Sequence, residues 1–112
     1  MPFEKFHDVE AINRERRRAI AKSIRPISVE ELKKLGEEIF DEPDRPWRQT
    51  FLSLIEENPG GTFHHADAGE GVIFLYCRDV DKGLWYLPGS GVGPLSEGGR
   101  QLMKEAIAAG PH

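Results

Sequence analysis

Between Gly71 and Ala109 the chain reads GVIFLYC, RDVDKG, LWYLP, GSGVGP and LSEGGRQLMKEAIAA, and this order constrains the fold more than any other feature. Two strongly apolar runs separated by a short polar turn predict a β-hairpin, and a glycine-rich loop then leads into an amphipathic helix. Strand, glycine loop and helix in that order can hold an anion on backbone N–H groups, but the same order also serves as plain scaffold. The order therefore gives an architecture, and the function has to come from particular side chains.

Upstream the period is helical. Residues 8–24, DVEAINRERRRAIAKSI, are rich in helix formers, with Asp8 as N-cap and Val9, Ile12, Ile20 and Ile24 on a rough stripe. Arginines interrupt that stripe, which predicts an N-terminal helical arm over 1–27 that docks loosely on a globular core of 28–112. Ser28 and Glu31 form a capping box ahead of Val29, Leu32, Leu35, Ile39 and Phe40, which predicts a helix over 28–40. The prolines of DEPDRP at 41–46 end it and start another, in which Trp47, Phe51, Leu54 and Ile55 share a face until NPGG at 58–61. The short link predicts an antiparallel helical pair.

The runs TFHHA (62–66), VIFLYC (72–77) and LWYL (84–87) then predict a three-stranded antiparallel meander. Two turns of odd length would place Phe63, His65, Ile73, Leu75, Cys77, Trp85 and Leu87 on one face, against the helices. Thr62, His64, Phe74, Tyr76 and Tyr86 would share the other, a partly wet face suited to contact. Leu95, Leu102, Met103, Ala106 and Ile107 form the stripe of a last helix, capped by Ser96, with Gly98 and Gly99 weakening its first turn. The expected fold is one α+β domain: an N-terminal helix, a helical pair, a β-meander and a C-terminal helix packed on one sheet face.

Composition excludes more than it selects. The chain has 112 residues, 38% apolar and 30% charged, so one folded domain is expected. No apolar run approaches the ~18 residues of a membrane span, and MPFEKFHDVE lacks the apolar core of a signal peptide. A cytoplasmic protein without membrane contact is the expectation. The single Cys77 can form no internal disulfide and is read as a core residue. Residues 1–25 hold seven Lys or Arg against four acids, while the rest of the chain is acidic enough to bring the net charge to −4. Positive charge is therefore concentrated in the first helix, and nucleic acid is a disfavoured partner for the chain as a whole.

Two groups of residues stand out as sites. The exposed arginines Arg14, Arg16, Arg17 and Arg18, together with the Tyr76 and Tyr86 face, form the expected partner-binding surface, either for an unknown protein or for a second copy. The same arginines read more plainly as a solvated helix face paired with Glu10 and Glu15, and contact with nucleic acid is the alternative use. Gly89, Ser90, Gly91 and Gly93, with Arg100 as counter-charge, form a possible ligand or anion nest. Neither nucleotide-binding motif fits there, because Pro94 stands where GxGxxG needs its last glycine and no GK[ST] follows. Adjacent His64 and His65 point to opposite faces of a strand, so no metal site is expected. No cofactor motif and no catalytic constellation emerge. The reading is a small interaction or self-associating module without catalysis, with an anion binder as the alternative.

Overall fold

A computed structural model of the chain describes residues 9–39, 46–87 and 91–109, and within these the side chains of 14–38, 49–87 and 91–109. The elements run α1 (Val9–Ser23), β1 (Arg25–Ile27), α2 (Val29–Ile39), α3 (Pro46–Glu57), β2 (Phe63–Asp67), β3 (Ile73–Cys77), β4 (Lys82–Leu87), β5 (Gly91–Pro94) and α4 (Glu97–Ala108). The α+β class is as expected. The sheet, however, has five antiparallel strands in the order β1-β2-β3-β4-β5, so the three-strand meander is its centre and both edges were missed. The reason is local. β1 is a three-residue piece containing Pro26, and β5 is half glycine, so neither carries a strand period, and each is recruited by pairing with a better strand.

The helices cap as their sequences dictate. The Glu31 N–H donates to Ser28 Oγ at 3.1 Å, and the Gly99 N–H donates to Ser96 Oγ at 3.1 Å, each satisfying a donor with no intrahelical partner. Gly99 has a packing reason for lacking a side chain. A Cβ there would lie 2.6 Å from Leu95 and 3.4 Å from Phe74, so its absence lets α4 settle onto the sheet.

Turn length decides which residues face which layer. Asp67 pairs with Ile73 across a five-residue turn, the odd parity expected, in which Gly69, Glu70 and Gly71 all take positive φ. Cys77 pairs with Lys82 across a turn of four, residues 78–81, an even number, so β4 turns the opposite face to each layer from the one expected. Tyr86 therefore joins Phe63, Leu75 and Cys77, while Trp85 joins Phe74 and Tyr76. The shared Tyr76/Tyr86 face is corrected accordingly: the two rings lie on opposite sides of the sheet, and each is 1% exposed.

Helices cover both faces. Leu32 from α2 and Phe51, Leu54 and Ile55 from α3 meet Ile27, Phe63, Leu75, Leu84 and Tyr86 in the first core. Ile20 and Ile24 at the end of α1, with Leu102, Met103 and Ala106 from α4, meet Ala66, Phe74 and Tyr76 in the second. Of the expected loosely docked arm, Ile20 and Ile24 are buried in that second core. Their spacing of four places both on the sheet side, and Arg16, four residues earlier, lies there with them. Phe40, Trp47 as a side chain, Gly89 and Ser90 lie outside the described residues.

Candidate functional site

The four arginines of α1 separate by helical phase. Arg16 is 7% exposed; its Nη1 donates to the Ala68 carbonyl at 2.8 Å, and its guanidinium lies 5.9 Å from the Phe74 ring centroid. Burial lowers its pKa from the ordinary value, opposed by Glu70 and Glu15. It is thus a structural cation that satisfies a backbone oxygen and stacks on an aromatic face. Arg14, Arg17 and Arg18 are exposed. Arg17 reaches across to α4, with its Nε 3.2 Å from Glu105 Oε2, in a pair more than two-fifths exposed on each side. Arg14, Arg18 and Lys22 recur every four residues along the outer face of α1. An open hollow of about 720 Å³ lies against Glu15, Arg18, Ala19, Ala21 and Lys22, where small alanines sit between the cationic stems.

A second polar cluster closes the sheet end of the same layer. The Tyr76 hydroxyl donates to Asp81 Oδ1 at 2.7 Å, and Lys104 Nζ lies 3.1 Å from that oxygen. Arg100 Nε is 3.6 Å from it, and Arg100 Nη1 donates to the Leu95 carbonyl at 2.8 Å. Burial, then the bond to Asp81, pushes the Tyr76 hydroxyl up to about 12; the Tyr76 bond, then Lys104, holds Asp81 below its ordinary value. At neutral pH the phenol is a fixed donor and the carboxylate a fixed anion. Asp81 also has φ 52, a left-handed backbone at the last position of the 78–81 turn. Beside this cluster, Tyr76, Arg78, Lys104, Ile107 and Ala108 line a groove of about 370 Å³.

On the opposite sheet face, His65 Nε2 and the Tyr86 hydroxyl are 2.5 Å apart, and the Phe51 ring meets Tyr86 edge-on, with centroids 5.4 Å apart. Burial first, then Arg25, lowers His65 to about 4 against the opposing pull of Asp67, and burial raises Tyr86. Both groups are therefore neutral at pH 7, and their hydrogen bond satisfies two polar tips in an apolar wall. Burial likewise pushes the Cys77 thiol up, which keeps it protonated in the core, as its place in an apolar strand suggests. Among the described residues no group of three or more His, Cys, Asp or Glu is placed to hold a metal ion.

Gly91 and Gly93 lie in β5, paired with Leu87 and Trp85. A Cβ on Gly93 would come within 2.6 Å of the Trp85 indole nitrogen, so glycine is there to let the indole lie across the edge strand. Arg100 is committed to Leu95 and Asp81. Reading the sequence missed Arg16 as a buried anchor, although its spacing from Ile20 and Ile24 was a usable signal. It also missed the Tyr76–Asp81–Lys104 cluster, which joins a strand, a turn and a helix that no local pattern links.

Among the described residues no helix is long and apolar enough to cross a membrane. Comparison with protein-family models, curated protein sequences and solved structures returns no significant match.

Proposed function

We propose that this chain is a non-catalytic interaction module that docks an acidic protein surface on the outer face of α1. The observation that carries the reading is the alignment of Arg14, Arg18 and Lys22 on one exposed helix face of a chain whose net charge is −4. Concentrating positive charge on one layer of an acidic molecule gives a field that steers an acidic partner and selects its orientation. The other helical layer is of opposite sign. α2 carries Glu30, Glu31, Glu37 and Glu38 against Lys33 and Lys34, and α3 adds Glu56 and Glu57 against Arg48. A second copy therefore offers one surface of the chemistry required, which keeps self-association within the same reading.

Light scattering across a concentration series, at low and at high salt, tests self-association, and titration of a fluorescent glutamate-rich peptide tests a foreign acidic partner. Binding in either assay that weakens with salt and is lost in Arg14→Glu/Arg18→Glu supports the proposal. A protein that stays monomeric and ignores the peptide overturns it. Labelled RNA and DNA run in parallel: tighter, salt-dependent binding to either would replace the protein partner with nucleic acid.

A further inference from the structure

The groove between the 78–81 turn and the end of α4 has a chemistry that the α1 face does not use. We propose that it binds a small organic carboxylate carrying a short apolar tail. Its walls divide by character. Ile107 and Ala108 offer apolar surface, while Arg78 and Lys104 are the cations on its lining. It is an open surface groove of about 370 Å³, a size that admits a small molecule.

Charge balance selects the anion. Arg78, Arg100 and Lys104 gather here against Asp81, which accepts the Tyr76 hydroxyl and lies in ion-pair range of Arg100 and Lys104. Asp79, in the same turn, accepts the Thr62 N–H, and counting it leaves one positive charge over. A single negative charge neutralises that excess. A dianion would set its second charge against Asp81 and against the carbonyl end of α4, which terminates at Ala109 beside the groove. Lys104 is held in place by Asp81. Lys104 spends one of its three donors on Asp81 and keeps two, and the Arg78 fork matches a carboxylate in two parallel hydrogen bonds. The tail then covers Ile107 and Ala108.

Amide resonances of 76–78 and 104–108 are followed while butyrate, acetate and inorganic phosphate are titrated separately into the intact chain. Butyrate should give saturable shifts at millimolar concentration and bind more tightly than acetate or phosphate. Arg78→Gln and Lys104→Gln should each weaken butyrate about tenfold. Ile107→Ala should bring butyrate down to the level of acetate. Arg78 is exposed, so that variant should keep the parent melting temperature and decides the matter even if changes in α4 disturb folding. Shifts that fail to saturate, an affinity unchanged by Arg78→Gln, or phosphate binding more tightly than butyrate would each overturn the proposal.

Discussion

The two helical layers solve the same problem with different materials. The α2/α3 layer closes its side of the sheet with large apolar side chains, Leu32, Phe51, Leu54 and Ile55 over Phe63, Leu75 and Leu84, and pairs His65 with Tyr86 within that wall. The α1/α4 layer contributes Ala66, Ala68 and Ala106 to its core, fills less of it with hydrocarbon, and draws in Arg16 and the Tyr76–Asp81 bond. Apolar burial at about 25 cal/mol per Å² makes the first layer the main source of cohesion. The second gives up some of that in exchange for charged groups held in fixed positions, which is where both candidate surfaces lie.

The sharpest break of this comparison is truncation on each side. Phe51→Ala should cost about 4 kcal/mol and Ile20→Ala about 3 kcal/mol in chemical denaturation, since both side chains are fully buried. If Ile20→Ala costs nothing, α1 is an arm after all and the second layer is not a core. Acid comes next. Well above pH 6.5 His65 is neutral folded and unfolded alike; as pH falls through 6.5, the unfolded chain takes up a proton that the buried imidazole refuses until about pH 4. Stability should therefore fall by about 2–3 kcal/mol between pH 6.5 and 4, and His65→Phe should flatten that part of the profile.

On the other layer, Arg16→Met keeps the apolar stem but strands the Ala68 carbonyl, for an expected loss of about 2 kcal/mol with no change in acid sensitivity. Tyr76→Phe removes one hydrogen bond to a carboxylate and should cost about 1 kcal/mol by thermal or urea melting. Smallest is the change on the outer face of α1: Arg14→Glu/Arg18→Glu should move stability by no more than about 0.5 kcal/mol. A larger loss would mean those arginines hold the fold together and are not available to a partner.

Legibility differed between the layers for the same reason that their materials differ. The capping box at Ser28, the stripe through Phe51, Leu54 and Ile55, and the run IFLYC announce themselves by period, so α2, α3 and β3 were readable. In the second layer α4 was readable by its cap and stripe, but α1 was not, because a helix whose sheet-facing stripe includes Arg16 looks solvated until Ala68 and Phe74 are seen beneath it. Tyr76, Asp81 and Lys104 are similarly ordinary in the sequence and form a cluster only where strand, turn and helix meet.

Local preference along the chain settled where helices begin, that Phe63–Asp67 and Ile73–Cys77 pair as antiparallel neighbours, and that His64 and His65 point apart. Those are consequences of backbone geometry and need no partner. Only the assembled sheet decided that the second turn holds four residues, and with it that Tyr86 enters one core while Trp85 serves the other. A strand carries its two faces wherever it goes, but which of them looks inward is set by register against a neighbour, and register is a property of the pair.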